Sequence, residues 1–167
     1  ILSFNASSTL TINRKKHMAL PKLKLTIQTA CAETLLPNRA TIRRWLQAAL
    51  SCRASFTVRF VTPKESAALN GHYRHKPHPT NVLTFPYAEN PLCEADLVLC
   101  PSVIEKEAAE QHKSLEAHYA HMIIHGALHA QGYDHVTEDE ASEMESTERK
   151  ILQSLGIANP YLDETRY

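Results

Sequence analysis

The chain has 167 residues, 43% of them hydrophobic, and its 18 basic and 18 acidic side chains give a formal net charge of zero. This length suffices for one domain with a buried core and is too short for two. Because the sequence lacks an apolar run of about 18 residues and a secretory leader pattern, it predicts a cytoplasmic protein with no membrane span. The four cysteines lack the C-x-x-C spacing of a thiolate zinc site.

The beginning of the chain differs from the rest. Residues 1–20 show no sustained hydrophobic periodicity and carry a basic cluster before Met18. Such a segment is typical of a terminus outside the folded domain. We therefore interpret residues 1–20 as an N-terminal extension and residues 21–167 as a single domain.

Alternating apolar and polar residues predict four strands in that domain, and apolar residues at helical spacing predict five helices. In chain order we expect a strand at about 23–30, a helix at 39–51, a strand at 56–60, a helix at 63–73, strands at 82–85 and 96–100, and helices at 102–112, 114–131 and 137–156. Strands and helices do not alternate strictly. The sequence therefore predicts an α+β fold, a roughly four-stranded mixed sheet layered with about five helices.

Capping signals mark the starts of several helices. Asn38 is the expected N-cap of the first helix. The three pairs with capping-box spacing are Thr62 with Glu65, Ser102 with Glu105, and Thr137 with Glu140. The acids of the last helix are expected to form a solvated face; they are Glu143, Glu145 and Glu148.

Three histidines in the run H-G-A-L-H-A-Q-G-Y-D-H have the spacing of a metal site. His125 and His129 lie four residues apart on a predicted helix, so their rings can face a common ion. Gly132 can end that helix in the left-handed conformation, which lets the chain turn back and bring in His135 as a third nitrogen ligand. Three neutral imidazoles leave one position for water, which is the arrangement of a catalytic zinc.

A histidine stripe is the alternative interpretation. His118 and His121 share the helix face of His125 and His129, and such a stripe can be a polar seam. A straight helix cannot bring three successive turns to one ion, so a metal would use two neighbouring histidines and a ligand from elsewhere. His121 with His125 is the competing pair. We expect His118 and His121 to lie behind the metal ligands or at the edge of the core.

H-G-A-L-H resembles the H-E-x-x-H helix of zinc peptidases, with Gly126 in place of the glutamate. That glutamate is the peptidases' general base, so a peptidase with this sequence would lack its base. Glycine inside a helix costs about 1 kcal/mol relative to alanine. Either a tight helix crossing or the close approach of a backbone or substrate would require so small a residue.

The same run resembles the signature of the YbeY-type endoribonucleases, which are bacterial rRNA maturation factors. A second stretch, N-G-H-Y-R-H-K-P-H-P-T-N-V-L-T-F-P (70–86), is similar to the family's arginine-bearing loop and following strand. The A-D-L-V-L-C strand and the C-terminal G-x-x-x-P-Y (156–161) also fit. The likeness covers about residues 23–162.

The resemblance implies a zinc-dependent, single-strand-preferring endoribonuclease that acts in 16S rRNA 3′-end maturation and ribosome quality control, on an α+β fold reminiscent of zinc peptidases. Carried over by position, His125, His129 and His135 bind one Zn²⁺, and Arg74 is the family's essential arginine. The expected partners are single-stranded RNA, rRNA and ribosomal particles. Whether a water at the metal or the RNA's own 2′-hydroxyl attacks phosphorus stays open, as does the oligomeric state.

Further residues near these motifs are weaker candidates. Four side chains flanking Arg74 are expected to contact phosphates or unpaired bases, namely His72, His75, Lys76 and His78. Asp134 is expected either to orient a ligand imidazole or to stabilise the turn after Gly132. A zinc peptidase and a non-catalytic, zinc-stabilised ribosome-binding module are the alternative functions.

Charge is distributed unevenly along the chain. Between Arg39 and Lys76 there are eight basic side chains and one acid, whereas from Tyr133 to Tyr167 there are nine acids and three basic side chains. This asymmetry predicts a local basic surface for a polyanion. The alternative is that these charges are the solvated faces of separate helices.

Overall fold

A computed structural model of the chain describes residues 19–32 and 35–161. Its elements, in chain order, are β1 (Leu23–Ala30), α1 (Arg39–Ala49), β2 (Ala54–Val61), α2 (Pro63–Arg74), β3 (Val82–Ala88), β4 (Cys93–Leu99), α3 (Pro101–Glu110), α4 (Leu115–Ala130) and α5 (Glu138–Ser154). The predicted α+β class, with four strands and five helices, is confirmed. Nearly all of the predicted extension, residues 1–20, lies outside the described residues, so the division of the chain stays a prediction. No described helix is both long and apolar enough to cross a bilayer.

The four strands form one mixed sheet in the order β1-β2-β4-β3. β1 and β4 both run parallel to β2, and β3 runs antiparallel to β4. Val58 pairs with Leu97, and Leu97 pairs with Thr84. β3 is an edge strand, which explains why it continues through Pro86 to Ala88, beyond its predicted end, because an edge strand tolerates a residue without a backbone N–H.

Helix α4 is the centre of the molecule. It packs against α1, α3, α5 and the sheet, and most of its residues are buried. The main core lies between α4, α1 and one face of the sheet, and its largest fully buried side chains include Trp45, Phe56, Phe60 and Tyr119. His125 and His129 therefore lie on a helix that is packed on several sides.

Helix α2 lies on the opposite face of the sheet. A smaller cluster of Val61, Leu83 and Val98 packs there with Leu69 of α2 and Phe85. Side chains alternate between the two faces along a strand, so that Val82 and Thr84 face α4 whereas Leu83 and Phe85 face α2.

The observed caps agree with most of the predicted ones. The side chains of Asn38 and Thr62 accept hydrogen bonds from the backbone of their helices, and Thr137 with Glu140 forms the full capping box. The predicted cap at Ser102 is wrong. α3 begins at Pro101, because proline has the helical φ already fixed and suits the first helical position.

Candidate metal centre

The end of α4 adopts the turn that the sequence predicts. Gly132 has a φ of 96°, and its N–H donates to the carbonyl of His129 at 3.0 Å, while the N–H of Tyr133 donates to the carbonyl of Leu128 at 3.1 Å. These two bonds are a Schellman motif, which satisfies carbonyls that the helix leaves without partners. The chain then reverses and places His135 beside the helix.

The structure brings the three histidines of the motif together. One ring nitrogen from each of His125, His129 and His135 lies within 4.8 Å of the other two. The ring centroids are 4.7 Å apart for His125 and His129, 4.9 Å for His129 and His135, and 5.8 Å for His125 and His135. His125 and His129 are half-buried, whereas His135 is exposed. This cluster is a candidate metal centre that opens to solvent.

His129 has the protonation state that a metal ligand needs. Burial and the neighbouring rings of His125 and His135 lower its pKa to about 4. The imidazole is therefore neutral at neutral pH, and a ring nitrogen keeps the lone pair that a metal binds.

The prediction that the acids of α5 form a solvated face is wrong for Glu148. Glu143 is exposed, but Glu148 has an exposure of 0% and faces α4 together with Met144 and Leu152. The prediction was wrong because Glu148 lies four residues from each of these apolar side chains and therefore on their stripe. This i, i+4 spacing was the available signal.

The carboxylate of Glu148 is hydrogen-bonded at both oxygens. One oxygen accepts a bond from Nδ1 of His125, and the other accepts bonds from Nε2 of His121, at 3.0 Å, and from the hydroxyl of Tyr161. Burial alone would raise the pKa of Glu148, but the bonds from His121, His125 and Tyr161 outweigh it and lower the pKa to about 2. Glu148 is therefore a buried carboxylate at neutral pH.

His121 lies behind the three histidines rather than among them. Its ring contacts Glu148, and Tyr161 packs edge-on against it with centroids 5.3 Å apart. His121, His125 and Glu148 also bring ligand atoms within 4.8 Å of one another. In this second group, however, the atoms are joined by hydrogen bonds. Tyr161 is a further residue that sequence reasoning did not assign to the site, although it lies in the C-terminal motif.

Asp134 contacts the backbone of the turn. Its carboxylate accepts a hydrogen bond of 2.7 Å from the N–H of His135, and it lies 4.0 Å from Nδ1 of that ring. The second distance is beyond a hydrogen bond. Of the two roles expected for Asp134, the structure shows the contact that stabilises the turn.

Arg74 is the last residue of α2, and its side chain is exposed. The other candidates of the loop are exposed as well; they are His72, His75, Lys76 and His78. Asn70 holds the loop by donating to the carbonyl of His78 at 2.9 Å, and Ser66 bonds both backbone groups of Thr80. Within the described part of the chain, no hydrogen bond or ion pair joins Arg74 to the three histidines.

Gly126 is the point where α4 crosses the sheet. A Cβ atom added there would meet Leu97 at 3.1 Å, Thr84 at 3.3 Å and Val82 at 3.4 Å. The distances to Leu97 and Thr84 are shorter than ordinary contacts, so packing against the sheet explains the small residue. The position that carries the glutamate in zinc peptidases is occupied here by a helix–sheet contact.

The fold and the cluster together define a single-domain α+β protein with a candidate three-histidine metal centre. Residues 22–156 match the family described as endoribonuclease YbeY. The chain belongs to this family of RNA-cleaving enzymes.

Relatives with this name, and one solved structure, are similar to the chain. An endoribonuclease YbeY of Paracidovorax citrulli is 51% identical over 153 residues, which cover 87% of this chain and 100% of the relative. An endoribonuclease YbeY of Burkholderia pseudomallei is 58% identical over 129 residues, which cover 75% of this chain and 70% of the relative. A Thermotoga maritima protein solved in solution has the same fold, with a TM-score of 0.52 and 22% identity over 86% of this chain and 99% of that one.

Proposed function

We propose that this chain is a zinc-dependent endoribonuclease that cleaves single-stranded rRNA in the cytoplasm, in 16S rRNA 3′-end maturation and ribosome quality control. The observation that carries the proposal is the convergence of His125, His129 and His135, in a member of an endoribonuclease family. Ribosomal particles are the proposed partners, and residues 21–167 are proposed to form the catalytic domain.

The residues present fit a zinc ion. Three imidazole nitrogens from protein are the ligand set of catalytic zinc sites that leave a position for water or substrate. Since Nδ1 of His125 is engaged by Glu148, its Nε2 is the atom that can face a metal. A bound zinc ion supplies Lewis-acid neutralisation of the phosphodiester charge.

Arg74 is the proposed phosphate-binding residue. Its guanidinium is always charged, and its forked N–H groups match a pair of phosphate oxygens. The exposed basic side chains beside it extend the anion-binding surface along the loop; these are His72, His75, Lys76 and His78. Neighbouring phosphates or unpaired bases of a single strand can bind there.

The two alternative functions have specific difficulties. A peptidase of this type needs a general base at position 126, where this chain has glycine against the sheet. A non-catalytic ribosome-binding module would itself cleave no RNA, and Arg74→Ala would leave rRNA processing intact in cells. RNA cleavage by the purified chain and rRNA processing with Arg74→Ala therefore separate the catalytic proposal from the module.

The proposal is tested with a labelled single-stranded RNA and the purified chain, assayed untreated, with chelator, and with zinc restored after chelation. We expect cleavage that stops with chelator and returns with zinc, and much slower cleavage of the same strand annealed to its complement. RNA cleavage that chelator leaves unchanged would contradict the metal dependence, and cleavage of a denatured protein instead of RNA would support a peptidase.

A further inference from the structure

We infer that Glu148 is a positioning residue of the metal centre: it holds the ring of His125 in the tautomer and orientation that present Nε2 to the ion. We further infer that Tyr161 holds Glu148 and so ties the C-terminal segment to the site. The inference rests on the proposed metal ligands. It assigns roles to two residues that the motif of three histidines does not include.

The first step is the chemistry of His125. A neutral imidazole carries its proton on one nitrogen, and the other nitrogen keeps the lone pair that binds a metal. Glu148 is a carboxylate and can only accept, so the contact with Nδ1 of His125 requires the proton to be on that nitrogen. Nε2 is then the free ligand atom. Carboxylates that accept from ligand histidines in this way orient the ring and raise its basicity.

The second step is the environment of Glu148. Its side chain has an exposure of 0%, and a buried carboxylate is destabilising unless its oxygens are hydrogen-bonded. His125 satisfies one oxygen, and His121 and Tyr161 satisfy the other. The rotamer of Glu148 is therefore held from two sides, which is what a group that positions another side chain requires.

The third step is the geometry of His121. Its Nε2 lies against Glu148, and its Nδ1 is buried without a hydrogen-bond partner among the described residues. This pattern fits a neutral ring with its proton on Nε2, which donates to Glu148. His121 therefore acts as a second donor to the carboxylate.

The fourth step concerns the C-terminal segment. α5 ends at a Schellman turn in which Gly156 has a φ of 75°. The chain then returns to α4. Just before that helix, Lys113 donates to the carbonyl of Pro160 at 3.1 Å, and on the helix itself the ring of His121 packs edge-on against Tyr161. The hydroxyl of Tyr161 donates to Glu148. This places the G-x-x-x-P-Y motif in contact with the support of a metal ligand.

The test measures the zinc dissociation constant by chelator competition for wild type, Glu148→Gln, Tyr161→Phe and Glu143→Gln. The amide in Glu148→Gln keeps the shape but presents N–H groups where the carboxylate accepts. We expect it to weaken zinc binding by about 10–100-fold. Tyr161→Phe should weaken binding by a smaller factor. Glu143→Gln, on the same helix but exposed, is the matched control and should leave binding unchanged.

A second measurement uses the wild-type protein and needs no variant. Imidazole nitrogen NMR of the metal-free protein at neutral pH should show the proton of His125 on Nδ1. A proton on Nε2 would overturn the inference, even if Glu148→Gln fails to fold. Folded Glu148→Gln with an unchanged dissociation constant would overturn it as well.

The variant His129→Ala distinguishes a failure of this inference from a failure of the proposed metal site. If His129→Ala loses zinc and Glu148→Gln does not, the positioning role alone fails. If His129→Ala binds zinc as tightly as wild type, the proposed metal site fails and the inference fails with it. If, in that case, Glu148→Gln abolishes binding, the ion belongs to the group of His121, His125 and Glu148, and Glu148 is a ligand instead of a positioning residue.

Discussion

Glu148 accepts a hydrogen bond from His125 although the two residues are 23 positions apart and belong to different helices. The contact joins α5 to α4 at the histidine cluster. A carboxylate on a separate helix therefore supports a ligand whose partners, His129 and His135, are close in sequence. The centre depends on the packing of α5 as well as on its own motif.

Chelation is expected to lower the melting temperature of the wild-type protein. A ligand that binds only the folded state at about 100 times its dissociation constant stabilises it by about 2.7 kcal/mol. For a chain of this size, that corresponds to a shift of about 5–10 °C. Thermal unfolding followed by circular dichroism measures the shift. His129→Ala is the control, and an equal shift in that variant would place the metal elsewhere.

Arg74→Ala is expected to reduce RNA cleavage by a factor of about 10²–10³, the usual effect of removing one group that stabilises charge in the transition state. Because Arg74 is exposed at the end of α2, zinc content and melting temperature should stay unchanged. Single-turnover cleavage of a single-stranded RNA measures the effect. Lys64→Ala, exposed at the other end of α2, should cleave like wild type. Normal cleavage by Arg74→Ala would contradict the role of Arg74 as the phosphate-binding residue.

Gly126→Ala is expected to lower the free energy of unfolding by about 1 kcal/mol. Alanine favours a helix by about 1 kcal/mol, but crowding in a packed core destabilises by about 1–3 kcal/mol. We expect the crowding to dominate because the added Cβ would meet Leu97, which is fully buried, at 3.1 Å. Urea unfolding measures the change.

Gly71→Ala is the control for that prediction, because the added Cβ would meet Pro77 only at 3.4 Å and beyond, which is ordinary contact. It should be neutral or stabilising by up to about 1 kcal/mol. An increase in stability for Gly126→Ala would mean that the helix–sheet contact is looser than the structure shows.

Asn70→Ala is expected to lower the free energy of unfolding by about 1–3 kcal/mol. Asn70 is 2% exposed, and its amide holds the carbonyl of His78 in the loop that follows Arg74. Removing the amide leaves that backbone group without its donor. Urea unfolding tests this, with His72→Ala, an exposed neighbour, as the control. Equal stabilities of the two variants would show that the loop is not held by Asn70.

The three histidines were predictable because their geometry is local. An i, i+4 pair on a helix and a glycine that ends it specify how His135 returns, and no other element is needed. The capping box of Thr137 with Glu140 is equally local. A local signal can still be misread: Ser102 was expected to cap α3, but the helix begins one residue earlier, at Pro101.

The supporting residues were not predictable in the same way. The role of Glu148 depends on how α5 packs against α4, and an acid on an amphipathic helix is usually solvated. Only its spacing from Met144 and Leu152 indicated otherwise. The strand order, with β4 between β2 and β3, likewise depends on pairing between distant segments. Hydrophobic patterns identify strands but not their partners.

The most direct test of the metal centre is the zinc content of the purified protein and of three variants, His125→Ala, His129→Ala and His135→Ala, measured by elemental analysis after equal exposure to zinc. We expect about one zinc ion per wild-type chain, the number that one three-histidine site holds, and substoichiometric zinc in each variant. Full zinc occupancy in a folded His135→Ala or His129→Ala variant would contradict the assignment of these histidines as ligands of one ion.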